Sequence, residues 1–246
     1  MSLDRGIPSE TDPATGLPIG PLVRDPGPAR RPERVVLDGQ WCRLEPLDPA
    51  RHAADLWRST TAPGAEQRHR YLFEAVPTSE ADYRAWLERM AASTDPLVFA
   101  VIDKRSGRAE GRQTLMRITP EHRSIEIGSI HWGPAIARSQ VTTEANFLFA
   151  RYAFETLGYR RYEWKCDALN APSRAAALRF GFQFEGIFRR HMIIKGRTRD
   201  TAWFAMTEDD WPSIKAATLA WLSPSNFDAD GRQRLRLQDL LVVQQG

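Results

Sequence analysis

The run Asn170-Ala171-Pro172-Ser173-Arg174, followed by Leu178-Arg179-Phe180-Gly181-Phe182 and Glu185-Gly186, packs a helix start and the opening of a strand into one short stretch. Asn170 is a good N-cap, because its side-chain oxygen can take a free amide of the first turn. Pro172 is tolerated there, since its missing N–H would have no intrahelical partner. The sequence therefore predicts a short helix over 171–180, then a long hairpin, 182–194 and 198–206, turning at Lys195-Gly196. On the N-terminal side, 162–166 reads as a strand, preceded by a helix over 143–156 that Gly158 ends. Ala145, Leu148, Phe149, Tyr152 and Thr156 form one stripe of that helix. Phe147 and Phe154 lie off it, so the helix is expected to pack on two sides.

Upstream stand three strands, 97–103, 109–118 and 124–132, with turns at Ser106-Gly107 and Pro120-Glu121-His122. In the third, Ile125 and Ile127 share one face while Glu126 and Gly128 share the other. Ser79 and Asp82 open an amphipathic helix over 79–92, on which Tyr83, Trp86, Leu87 and Met90 repeat at helical spacing. A short helix over 51–59 and strands 35–37 and 41–44, turning at Asp38-Gly39, complete the N-terminal half. Trp211, Ile214, Thr218 and Trp221 outline a last helix, and a polar tail follows from Ser223. Residues 1–34 hold seven of the seventeen prolines and no aromatic residue. They read as an extended arm without helix or sheet ladder, either a disordered tail or a strap anchored by Ile19, Leu22 and Val23. The division is thus an arm (1–34), a main domain (35–212), and a C-terminal helix with tail (213–246). Its element order gives a mixed α/β (α+β) sheet with one parallel crossover near its centre. No internal repeat is visible.

The composition narrows the class. The chain has 246 residues, 42% apolar and 26% charged, which are values of an ordinary globular protein. Its longest apolar stretch, 97–102, is far shorter than the ~20 residues a membrane span requires. No secretory leader pattern opens the chain, so a cytoplasmic location is expected. Cys42 and Cys166 are the only cysteines and no Cys/His cluster has zinc spacing, so neither disulfides nor a metal is expected. With 34 basic and 31 acidic residues the net charge is +3, and no dense basic stripe suggests nucleic acid. An electropositive pocket for a phosphorylated ligand remains compatible with that charge.

The strand ending at Trp132, the loop with Arg138 and the helix near Thr143 form a unit suited to phosphate. A helix N-terminus offers unpaired N–H groups and partial positive charge. The Asn-x-x-Ser opening at Asn170 and Ser173, the Gly181-Phe182 pair and Glu185-Gly186 resemble the end of the GNAT superfamily of acyl-CoA-dependent N-acyltransferases. The resemblance points to the branch of ribosomal-protein N-terminal acetyltransferases (RimJ/RimL-like). Thr143-Glu144-Ala145 and the segment from Gly39 to Pro46 are similar as well, so the likeness covers about 35–212. It implies a GNAT fold: a mixed, mostly antiparallel central sheet, splayed at the middle and flanked by helices.

That resemblance also implies a chemistry. An acetyl group would move from acetyl-CoA, the cosubstrate, to a primary amine, either a small molecule or a peptide N-terminus. The amine would attack directly, without metal, nucleic acid or membrane; a homodimer is compatible with the reading. Glu126 is the expected general base, and Ser173 the expected donor toward the departing sulfur. Cofactor contacts are expected from Ile130 and Trp132 on the strand and from Arg138, Ser139, Gln140, Val141, Thr142 and Thr143 in the loop and helix start. Asn170, Ser173 and Arg174 complete that set. Two departures bear on this. The family's loop glycines fall where Gln140 and Thr142 stand, and its frequent tyrosine acid falls where Ala177 stands. They motivate the competing reading, a non-catalytic acyl-CoA-binding protein with a degenerate pyrophosphate loop. Cys166 invites an acyl-cysteine reading, but no histidine pairs with it in sequence.

Overall fold

The computed structural model describes residues 8–243. Its main sheet has eight strands: β3 (Leu37–Asp38), β4 (Cys42–Pro46), β5 (Leu97–Asp103), β6 (Arg108–Thr119), β7 (Ser124–Trp132), β8 (Arg161–Asp167), β9 (Gln183–Ile194) and β10 (Arg197–Thr207). They lie in the order β3-β4-β5-β6-β7-β8-β10-β9, antiparallel throughout except for the parallel β7–β8 pair. This is the expected sheet with a single parallel crossover. The crossover is made by α4 (Gln140–Arg151) and a π-helical turn (Tyr152–Leu157), which Gly158 ends at φ 80°.

Four helices start where a short polar side chain takes an orphan amide. Asp48 accepts from Ala50 at the head of α1 (Pro49–Thr61), and Ser79 from Asp82 at the head of α3 (Glu80–Ala92). Asn170 accepts from the Ser173 amide at 3.1 Å and opens α5 (Ala171–Arg179). α4 begins three residues before the expected Thr143, because Ser139 caps the Val141 amide at 3.2 Å. A short α2 (Ala65–His69), not foreseen, follows α1.

Side-chain alternation divides the core into two layers. Leu44, Phe99, Val101, Leu115, Ile125, Ile127, Tyr162, Trp164, Phe204 and Met206 point beneath α4 and α6 (Trp211–Leu222). Leu47, Val98, Ala100 and Ala109 face α1 and α3 through Ala53, Leu56, Tyr83 and Leu87. α4 packs on two sides as its pattern requires: Phe149 meets Phe99 edge-on, while Phe147 and Phe154 stack on Trp211.

Both ends of the chain differ from expectation. The arm carries a small ladder, β1 (Glu10–Thr11) with β2 (Pro18–Ile19), closed by Asp12, which accepts from the Ala14 amide and the Thr15 hydroxyl. A ladder this short leaves the prolines where no donor is required. Ile19 and Leu22 are exposed and do not anchor the arm. It is tied down further on, where Arg123 donates to the carbonyls of Gly27 and Asp25, and the amides of Ala29 and Arg30 reach Pro120 and Leu157. The tail is not merely polar coil. It folds back through a 3-10 turn (Pro224–Asn226) into α7 (Leu237–Val243), with buried Asn226 bridging Trp221 and Leu235. Phe227 meets both Trp41 and Trp221 edge-on.

Candidate functional site

The β7–β8 ladder runs only from Ser124–Ile127 against Arg161–Trp164. Beyond that, β7 continues to Trp132 and β8 to Asp167, with no pairing between them. Two local features part the strands. The β6–β7 register shifts between Arg112/Thr114, where Ser129 sits at φ 44°, and such a bulge bends and twists its strand. The rings of Trp132 and Trp164 meet where the strands separate, and Phe180 packs on both. Gly128, just before the bulge, lies so close to the Met116 sulfur that a Cβ would overlap it.

A cavity of about 1160 Å³ occupies the opening. It touches Gln140 and Thr142 at the head of α4, on the face of Ile125 and Ile127. It also touches Glu126, Arg199 and Phe73, on the opposite face. Residues on opposite faces of a sheet can border one cavity only where the sheet is open.

On the α4 face the amides of Val141 and Thr143 are taken by the Ser139 hydroxyl and carbonyl. The Gln140 and Thr142 amides have no acceptor among the described residues, and both residues line the cavity. Neither position has positive φ; the left-handed residue of this loop is Arg138, at φ 58°. The helix therefore keeps its free donors without glycine at 140 or 142. Arg179, at the end of α5, donates to the Thr143 hydroxyl at 3.0 Å and lies 4.7 Å over the Trp221 ring. It lines the cavity and forms no ion pair among the described residues; burial lowers its pKa. The Ser173 hydroxyl accepts from the Trp164 indole at 3.0 Å, so its own hydrogen is available to a second partner, the neighbouring Cys166 sulfur included. Burial pushes the Cys166 thiol up, against a weaker opposing bond to Ser173, so it is a poor nucleophile.

Ile130, Trp132, Arg138, Ser139, Gln140, Thr142, Asn170, Ser173 and Glu126 thus border one cavity. Val141, Thr143 and Arg174 do not. Val141 and Thr143 are buried in the first turn of α4, and exposed Arg174 donates to the Ala168 carbonyl at 3.2 Å.

On the other face Glu126, 2% exposed, is held by Arg117 at 2.7 Å and Lys165 at 2.9 Å. Lys165 also pairs with Glu163 at 2.7 Å and lies 3.8 Å over the Trp203 ring. Burial raises the Glu126 pKa above the ordinary carboxylate value, and the two cations only partly oppose it. His131 and His69 face each other with ring centroids 5.0 Å apart. Burial, helped by Arg112, lowers the His131 pKa to about 2, so it is a neutral imidazole at physiological pH. Arg112 itself is paired with Glu74 and donates to the Ser129 carbonyl at 2.7 Å, bracing the bulge.

Arg179, Lys165 and Arg199 were not singled out from sequence as site residues. Arg179 lies inside the quoted motif, and its place beside the head of α4 follows only once α5 is docked. Arg199 shares its hairpin with Arg189, Arg190, Lys195 and Arg197, and nothing in the sequence sets it apart from them. Among the described residues no helix is long and apolar enough to cross a membrane, and no three metal-ligating side chains cluster.

Residues 42–183 match the model of the acetyltransferase (GNAT) domain. A GCN5-related N-acetyltransferase from Brucella melitensis is 52% identical, with a TM-score of 0.87 over 88% of this chain and 98% of that one. A probable acetyltransferase of the GNAT family from Chromobacterium violaceum is 38% identical, with a TM-score of 0.74 over 80% and 98%. An uncharacterized N-acetyltransferase, p20, from Bacillus licheniformis is 29% identical over 46% of this chain; the match spans about half of that relative's length (54%). The likeness to RimL, a ribosomal L7/L12 N-acetyltransferase, is one of fold alone, at 18% identity and a TM-score of 0.60. The opened sheet, the bulged strand and these matches carry one conclusion: the chain belongs to the GNAT acetyltransferase family.

Proposed function

We propose that the protein transfers an acetyl group from acetyl-CoA to a primary amine by direct attack, the two substrates entering from opposite faces of the sheet. The observation that carries this reading is the cavity through the β7–β8 opening, with helix-terminal donors on one face and a buried carboxylate on the other. The Gln140 and Thr142 amides, the α4 dipole, Arg138 and Arg179 suit a pyrophosphate. The unpaired edge of β7 past Ile127 suits an extended amide-bearing arm, which can add to it as a strand does. When bound, acetyl-CoA supplies the activated acyl group. Glu126 takes the proton that the attacking amine must lose, directly or through one water. Ser173, its oxygen already accepting from Trp164, donates a hydrogen bond to the departing thiolate sulfur, which takes its proton from the amine by way of Glu126 or from water. Neutral His131 adds a polar group to the acceptor wall.

Following thiol release from acetyl-CoA across peptides, amino acids, polyamines and aminoglycosides tests the reading. Release with any of them, at a rate above hydrolysis, is the expected result. Thermal stabilisation by acetyl-CoA with no release anywhere in the panel would instead establish the non-catalytic binder.

Two variants separate the roles. Arg179→Ala should weaken acetyl-CoA binding about 10- to 100-fold, the scale of a hydrogen bond to a charged group, with kcat at saturation little changed. Isothermal titration checks the first half, and wild-type affinity would remove Arg179 from the phosphate site. Ser173→Ala should lower kcat by about tenfold or more with KM for acetyl-CoA nearly constant. An equal fall in affinity and turnover would reduce Ser173 to a helix-cap and packing role.

A further inference from the structure

In the acceptor half of the cavity Arg199 has no answering charge among the described residues. Arg199, on β10, is only 8% exposed, and its Nε has no hydrogen-bond partner. Its guanidinium lies 5.0 Å over the Phe73 ring, which covers one of its faces. No carboxylate forms an ion pair with it: Glu126 is taken by Arg117 and Lys165, and Asp167 acts on it only at longer range. A buried guanidinium without an answering charge carries a desolvation penalty that nothing in the fold offsets. The cavity as a whole shows the same excess. Seven cationic side chains line it against two carboxylates, Glu126 and Asp167.

We propose that Arg199 is a specificity residue: the amine acceptor carries a carboxylate, which the open edge of the Arg199 guanidinium binds while Phe73 covers its face. Arg68, also in this half and also without an ion pair among the described residues, spends both terminal nitrogens on the Pro63 and Ala62 carbonyls, so Arg199 is the guanidinium left for an anion. The planar fork presents two parallel donors that match two carboxylate oxygens. This identification of the acceptor class rests on the acetyl-transfer reading above; the anion site itself does not.

The test uses the full chain and matched acid and methyl-ester pairs: alanine, phenylalanine and dialanine, each with its ester. Binding is read by tryptophan fluorescence, since Trp203 and Trp164 flank this region, independently of turnover. In the wild type at least one acid should bind about tenfold or more tighter than its ester. In Arg199→Gln that preference should fall to within about twofold while ester affinity holds, and Arg199→Lys should retain part of it. A preference that survives Arg199→Gln, or no pair in which the acid is preferred, overturns the proposal. Arg199→Met guards against a folding artefact. Its melting temperature should equal or exceed that of the wild type, whereas a fall of more than ~4 °C would make Arg199 structural and overturn the proposal too. Thiol release from acetyl-CoA on the same pairs separates the two readings. Acid preference without release at any pair upholds the anion site and sinks acetyl transfer; release without acid preference does the reverse.

Discussion

Glu126→Gln should lower kcat by about 10²- to 10⁴-fold, the range for loss of a positioned general base, with acetyl-CoA affinity nearly unchanged. The substitution keeps the volume of a side chain that is almost fully buried, and Lys165 keeps Glu163 as a partner at 2.7 Å, so folding should survive. The pH profile is the sharper test. Burial raises the Glu126 pKa, with Lys165 and Arg117 opposing. A base works in its deprotonated form, so kcat in the wild type should fall as pH drops through that raised value. In the variant the acid limb governed by this group should vanish, leaving a low rate that no longer varies there. Stopped-time assays of thiol release from pH 4 to 9 would show it. An acid limb of the same midpoint in both proteins removes Glu126 from the reaction.

The second large effect falls on stability. Glu144, in α4, accepts from three consecutive backbone amides: Gln40 at 2.7 Å, Trp41 at 2.6 Å and Cys42 at 2.7 Å. These bonds tie the crossover helix to the start of β4, a hundred residues earlier in the chain. Glutamine would keep one acceptor oxygen and turn an amide N–H₂ toward the remaining donors. Breaking charge-assisted bonds and stranding buried amides should cost about 3 kcal/mol or more. Glu144→Gln is thus expected to melt ~6–12 °C below the wild type. Because Glu144 does not border the cavity, the folded variant should keep the wild-type KM for acetyl-CoA at low temperature. A melting point within a degree or two of the wild type would refute the tether. Gly39→Ala probes the same contact from the other side, since a Cβ there would run into the Glu144 carboxylate.

Glu144 also shows where sequence reasoning stopped. Thr143-Glu144-Ala145 is visible as a helix entry, but the amides that fix the glutamate's role lie on a distant hairpin. What local chemistry dictates was readable: the caps Ser79 and Asn170, the bounds of β7, the parity that separates Glu126 from Ile125 and Ile127, and the two-sided α4. These depend on neighbours within a few residues. The start of α4 was misplaced because β-branched Val141 and Thr142 lower helix propensity just where Ser139 caps it. α2 and α7 are too short for a periodic pattern to emerge. Arg179 and Arg199 look like any surface arginine until packing removes their solvent and supplies no carboxylate. Only tertiary structure reports a missing partner.

The contacts of the proline-rich segment have a consequence for where the polypeptide can be cut. Arg123 grips the backbone at Asp25 and Gly27, and the stretch from Ala29 onward is laced to the β6–β7 turn and the end of the crossover helix. Among the described residues, none before Asp25 makes such an attachment. Proteolytic trimming up to that point should therefore leave a fully folded enzyme, whereas cleavage a few residues later would unlace the strap from the turn that sets the beginning of the bulged strand.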